Sequence, residues 1–125
     1  MSVPRAVAVR GNRPPGLLTW LLIRVTGLLL AVLVLGHFAV THIVTDVAET
    51  GSTFVAERWG SALILGWDWL MLGAAVLHGA AGLRVIVVEY APRTAVRVLT
   101  IALVALSAAM AVLGSVTILR VILAA

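Results

Sequence analysis

Histidine is the residue type with the clearest chemical potential in this chain, and two of its three copies lie deep in apolar runs. Gly82 follows His78 by four residues, and Gly36 directly precedes His37. An ionisable ring inside hydrocarbon is costly, which makes each a candidate functional residue. An imidazole with a glycine one helical turn away provides an axial nitrogen ligand and room for a flat ring system. The pattern is therefore compatible with an intramembrane haem.

Each histidine also has a second interpretation. His78 could form only a hydrogen bond between helices, and His37 could be a packing residue or a contact to a quinone. His42 follows His37 by five residues, which turns it about 140° further round a helix. We expect His42 to be solvated, with a contact to a haem propionate or a quinone as the less favoured alternative.

Charged and phenolic side chains accompany the histidines. Arg24 and Arg84 either extend to the membrane interface or neutralise a propionate, and Arg84 is deep enough to favour a propionate or another subunit. Glu89 and Tyr90 end an apolar run. Tyrosine is common at membrane interfaces, but a phenol beside a carboxyl also suits quinone reduction.

Asp68 is a carboxylate within an apolar run, so it needs a partner that the sequence does not identify. Three tryptophans lie near it in the sequence and are assigned to an interfacial aromatic belt: Trp59, Trp67 and Trp69.

The composition indicates an integral membrane protein. Hydrophobic residues make up 62% of the 125 residues and charged ones 11%, with a mean hydropathy of +1.16. The long apolar runs favour helices over a barrel. The absence of cysteine excludes an iron–sulfur cluster or a disulfide from this chain. The net charge of +4 comes from arginines at the edges of the apolar runs, which favours a role in orientation over nucleic-acid binding.

Three transmembrane helices are predicted, each exceeding the roughly 20 residues that span a bilayer. The predicted fold is an all-α membrane anchor that forms half of a larger haem-binding helix bundle. We divide it into a basic cytoplasmic arm and a three-helix domain: residues 1–16 and 17–125, with spans at 17–44, 61–88 and 95–123. A short helix over residues 54–59 is predicted in the first connection, and Pro92 is predicted to end the second span.

The distribution of arginine predicts a cytoplasmic N-terminus. Five arginines lie on that side and two on the other: Arg5, Arg10, Arg13, Arg93 and Arg97 against Arg58 and Arg120. In this topology His37 and His78 differ in depth by roughly 15 Å, from a rise of about 1.5 Å per residue. Two ligands so offset cannot serve one iron. If both bind haem, they bind different haems, and each needs a second ligand from another chain.

The pattern formed by His78, Gly82, Glu89 and Tyr90 resembles a signature of the membrane-anchor D subunit of succinate dehydrogenase. That signature is His-x-x-x-Gly, followed after six residues by Asp-Tyr. Here Glu89 replaces the aspartate but keeps the carboxylate. The segment Arg24-Val25-Thr26-Gly27 resembles the family's Arg-x-[Ser/Thr]-Gly. Residues 54–59 and the interval from Arg24 to His37 are similar to actinobacterial-type dihaem succinate:menaquinone oxidoreductases. The resemblance covers roughly residues 17–92.

The resemblance implies a cytochrome b anchor subunit of respiratory complex II in a bacterial cytoplasmic membrane, inactive alone. Its partners would be a C subunit, an iron–sulfur subunit, a flavoprotein with FAD, and menaquinone; the complex could also oligomerise. Two b-type haems would be shared with the C subunit. His78 would ligate the haem nearer the cytoplasm and His37 the distal one.

The remaining site residues follow from the same resemblance and from their positions. Arg24 and Arg84 would contact propionates, and Gly82 would make room for the haem. Tyr90 and Glu89 would lie at a quinone site.

Other functions remain open from the sequence. One is a haem-free structural or assembly anchor, in which the histidines only link helices; a fumarate reductase anchor is a further variant. A small transporter is disfavoured because the spans contain no broken helix and no paired carboxylates.

Overall fold

The computed structural model describes residues 16–124 and is helical throughout its regular structure. The elements are α1 (Leu17–Phe38), a π-helical segment (Ala39–Val44), a 3-10 turn (Val47–Glu49), α2 (Ser52–Trp59), α3 (Ala62–Tyr90) and α4 (Arg93–Ala124). The predicted basic arm lies outside the described residues, apart from Gly16 at the start of α1.

Three helical stretches are long and apolar enough to cross a membrane: Leu17–Val44, Ala62–Tyr90 and Arg93–Arg120. This confirms the predicted all-α fold with three candidate membrane spans. The helix ends differ from the predicted ones by a few residues. The short helix expected before the second span is present as α2.

The connection between α3 and α4 depends on Pro92. Ala91 is extended, with φ −78° and ψ 146°, because a residue before proline is disfavoured in the helical region. The carbonyl of Pro92 then accepts a hydrogen bond from the N–H of Ala95 at 2.8 Å. That bond starts α4 at Arg93, two residues earlier than predicted.

The end of the first span is a π-helix rather than the expected α-helix. The N–H of Thr45 donates to the carbonyl of Val40, five residues earlier, at 3.2 Å. The hydroxyl of Thr41 donates to the carbonyl of His37 at 2.8 Å. A threonine hydroxyl that takes the carbonyl four residues back competes with the backbone helix pattern. The π-helix begins at Ala39, two residues after the candidate ligand His37. Such segments are frequent at functional sites.

Helix α3 lies between its neighbours and packs against both α1 and α4, while α2 contacts α3 and α4. Glycines permit the close approach at both helix pairs. A Cβ on Gly36 of α1 would lie 2.7 Å from Cζ2 of Trp67, and one on Gly114 of α4 would lie 2.5 Å from Cδ2 of Leu72.

The helices bury few of their own side chains. The buried apolar residues among those described are Leu33, Ala74, Leu103 and Ile118. Large apolar side chains are exposed on the spans, including Leu28 at 72% and Leu106 at 59%. Apolar surface of this extent suits lipid or the helices of a partner subunit.

Candidate functional site

Two histidines occupy separate levels of the contact between α1 and α3. His78 lies opposite Ile23 and Thr26, and His37 lies opposite Asp68. Thr26 and His37 are eleven residues apart on α1, and Asp68 and His78 are ten apart on α3. Both intervals correspond to about 15 Å of helix. The separation within the helix pair thus matches the offset expected from the sequence.

The imidazole of His78 is held by acceptors from α1. Its Nδ1 lies 3.1 Å from the carbonyl oxygen of Ile23 and 3.1 Å from Oγ1 of Thr26. The Thr26 hydroxyl donates its own proton to the carbonyl of Leu22 at 2.6 Å, so its oxygen acts as an acceptor toward the ring. Both neighbours therefore require a proton on Nδ1, and the neutral tautomer that satisfies them has its lone pair on Nε2.

Gly27 gives the His78 ring its space on α1. A Cβ at this position would lie 3.0 Å from Cε1 of His78. The Thr-Gly part of the segment singled out in the sequence thus provides an acceptor and a gap for one imidazole. Arg24, from the same segment, is exposed, and its Cζ lies 4.5 Å from the ring centroid of Trp20. The structure shows a cation–π contact within α1 at this arginine.

At the second level, three side chains converge on the carboxylate of Asp68. Its Oδ1 lies 3.2 Å from Nδ1 of His37 and 3.3 Å from Nη2 of Arg58. Its Oδ2 accepts a hydrogen bond from Nε1 of Trp59 at 2.9 Å. We call these four residues the His37 cluster. They supply the partners that Asp68 was expected to need, and the sequence had not identified them.

The proton on His37 follows from the ion pair between Arg58 and Asp68. Nη2 of Arg58 also lies 3.4 Å from Nδ1 of His37, but one nitrogen cannot both accept from a guanidinium and donate to a carboxylate. An ionised carboxylate has only acceptor capacity, so the shorter contact to Asp68 requires a proton on Nδ1. The neutral tautomer of His37 that satisfies this contact, like that of His78, has its lone pair on Nε2.

From the sequence, Arg58 was used only in the arginine count at one membrane edge, and the structure adds a local role for it. Its side chain is 9% exposed and ion-paired with Asp68. Its Nε and Nη1 are buried and have no hydrogen-bond partner among residues 16–124. One feature of the sequence could have indicated the Arg58–Asp68 pair. Arg58 lies ten residues before Asp68, a carboxylate that required a partner.

A cavity of about 250 Å³ lies beside the His37 cluster. Its wall is almost entirely apolar and is formed by Gly36, His37, Val40, Arg58, Leu63, Ile64 and Trp67. The cavity therefore borders both a candidate ligand histidine and an arginine with free donors.

The tryptophans form specific hydrogen bonds, which the expected belt role does not include. Trp67 donates from Nε1 to the carbonyl of Leu33 at 3.1 Å and links α3 to α1. Trp69 donates to Oγ of Ser115 at 3.1 Å and links α3 to α4. Trp59 donates to Asp68, as described above. Each of these tryptophans finds its partner on another helix. Spacing along the sequence therefore could not identify the partners.

The other predicted site residues lie on the surface of α3. Arg84 and Glu89 are exposed, and Tyr90 is 78% exposed. Apart from its chain neighbours and the backbone of its own helix, no heavy atom of residues 16–124 lies within 4 Å of where a Cβ on Gly82 would be, so the surface one turn from His78 is open. Along α3, Arg84, Glu89 and Tyr90 follow His78 by six, eleven and twelve residues.

His42 is exposed and its contacts are local. Its ring stacks on Phe38 with centroids 4.6 Å apart, and its Nδ1 lies 2.7 Å from Oγ1 of Thr41. It lies outside both histidine sites.

Comparison with known protein families gives one finding for this chain. The family model that describes the succinate dehydrogenase/fumarate reductase transmembrane subunit matches residues 7–118. The match includes both histidine sites and extends into α4. No curated protein matches the chain.

Proposed function

This chain belongs to the succinate dehydrogenase/fumarate reductase transmembrane subunit family, and on that premise we propose that it is a D-type cytochrome b anchor of a dihaem succinate:quinone oxidoreductase. Family membership makes it a multi-pass membrane subunit of a larger enzyme complex. In the proposal, its partners are a C subunit, an iron–sulfur subunit and a flavoprotein that carries FAD. The proposed location is a bacterial cytoplasmic membrane, and the proposed electron acceptor is menaquinone.

The observation that carries the haem proposal is the common hydrogen-bonding arrangement of His37 and His78. Each directs an Nδ1–H at an acceptor on the facing helix and keeps a lone pair on Nε2. Histidines that bind metals typically hold their other ring N–H on a carboxylate or a backbone carbonyl in this way. The residues present thus fit two b-type haems, one at each level, which His37 and His78 would hold through Nε2. The second ligand of each would come from the C subunit.

When bound, the haems supply one-electron transfer between the iron–sulfur subunit and quinone. The residues of this chain hold the ligands: Ile23 and Thr26 orient His78, and Asp68 orients His37. The open surface at Gly82 supports its proposed place beside the haem nearer the cytoplasm. The exposed guanidinium groups of Arg24 and Arg84 are proposed to contact propionates.

Tyr90 and Glu89 are proposed to serve quinone at the cytoplasmic end of α3. The phenol would hold a quinone carbonyl, and the carboxyl would relay a proton. The proposed orientation, with a cytoplasmic N-terminus, rests on the asymmetry of five arginines on that side against two on the other.

A reduced-minus-oxidised spectrum of the membrane complex, purified through a tag on this chain, tests the proposal. We expect b-type absorbance, with two components in a redox titration. A complex that oxidises succinate without any b-type absorbance would support the haem-free anchor instead.

A further inference from the structure

We infer that Asp68 is a positioning residue for His37, one that sets the tautomer and the basicity of the nitrogen that binds iron. The inference rests on the proposed function, in which His37 is an axial haem ligand. It deepens that proposal because it assigns to Asp68 of α3 a role in setting the reduction potential of the haem that His37 of α1 would bind.

The geometry around the carboxylate carries the inference. Asp68 is 8% exposed. Its carboxylate is contacted by His37 of α1 and by Arg58 and Trp59, the last two residues of α2. Arg58 maintains its negative charge inside the apolar region, where an unpaired carboxylate would be costly. Trp59 holds Oδ2, which leaves Oδ1 directed at His37. The orientation of the carboxylate is thereby determined by its partners rather than by solvent.

A charged acceptor on Nδ1–H increases electron density on the imidazole and makes Nε2 a stronger ligand. A stronger ligand favours the oxidised iron and lowers the reduction potential. His78 differs in this respect, because its acceptors, the Ile23 carbonyl and the Thr26 hydroxyl, are neutral. The two sites therefore have similar shapes but different electrostatics.

Two substitutions should shift the same haem component in opposite directions. Asp68→Asn removes the charge but keeps the size, so the potential should rise. We expect about a tenfold change in the ratio of reduced to oxidised haem at a fixed potential, or about 60 mV for one electron. Trp59→Phe removes a donor from Oδ2 and leaves the charge more available to His37, so the potential should fall. A merely structural effect on packing would not reverse sign between the two variants.

The measurement is a redox titration of each variant complex, with the haem content determined separately. Glu57→Gln is the matched control, because it removes an exposed carboxylate one residue from Arg58. It should leave the His37 component unchanged. Shifts of the same sign in Asp68→Asn and Trp59→Phe, or no shift in either, would overturn the inference. If the Asp68 variant does not assemble, a fall in potential for Trp59→Phe supports the inference and an unchanged potential overturns it.

Failure of the inference and failure of the proposed function give different results. A wild-type complex without haem overturns both, since His37 would then have no iron to bind. A wild-type complex with two haem components, together with an unchanged potential in Asp68→Asn and Trp59→Phe, overturns the inference alone.

Discussion

His37 of α1 and Asp68 of α3 face each other with Nδ1 3.2 Å from Oδ1. This contact joins the two helices at one level, while His78 and Thr26 join them at another, about 15 Å away by helix rise. Each contact determines the tautomer of one histidine. The hydrogen bonds between α1 and α3 thus link the two helices and also orient two candidate iron ligands.

Single replacement of the two histidines should remove different haem components. His37→Ala and His78→Ala should each eliminate one of two components in the redox titration, because their separation is too large for one iron. His42→Ala is the control and should leave both components, since His42 is exposed and outside both sites. Loss of the same component from both variants would contradict the two-haem proposal.

Gly27→Ala should disturb only the His78 site. The new Cβ would lie 3.0 Å from Cε1 of His78, and displacement of the ring would lengthen its contacts to Ile23 and Thr26. Since supporting contacts of metal ligands are typically worth 10- to 100-fold in affinity, we expect about tenfold weaker haem retention at this site. Haem content after dilution in detergent measures the effect. Gly66→Ala, with open space at its Cβ position, is the control, and equal haem loss from it would refute the steric argument.

Arg58→Leu should destabilise the subunit by leaving Asp68 buried without its cation. Breaking a buried ion pair from one side typically costs about 3–5 kcal/mol. The double variant Arg58→Leu/Asp68→Leu should recover most of that loss, because it leaves no buried charge. Thermal unfolding of the purified complex measures both, with Arg120→Gln as a control at an exposed arginine. A double variant no more stable than the single one would contradict this account.

Gly36→Ala should be more destabilising than Gly114→Ala. A Cβ on Gly36 would meet the Trp67 ring at 2.7 Å, and that ring is anchored by its hydrogen bond to Leu33. We expect a loss of about 1–3 kcal/mol from overpacking. At Gly114 the neighbour is the end of the flexible Leu72 side chain, which can change rotamer. Thermal unfolding compares the two, and equal losses would show that the Trp67 anchor is unimportant.

Much of the architecture could be predicted from the sequence because it depends on local properties. Hydropathy over about 20 residues identifies a membrane span, and the backbone restriction at Pro92 ends one helix. Helical rise converts the positions of His37 and His78 into a difference in depth. These quantities need no knowledge of which helices touch. The assignments of Arg84, Gly82, Glu89 and Tyr90 stay predictions.

The partners of the polar groups were decided only by the tertiary structure. The sequence identified Asp68 as a carboxylate in need of a partner but did not connect it with His37, Arg58 and Trp59. It also provided no reason to pair His78 with Ile23, which lies 55 residues away. Such contacts depend on how α1 and α3 are rotated and aligned along their axes. A rotation of one residue, about 100°, would carry a side chain out of the interface, so only the packed helices determine which groups meet.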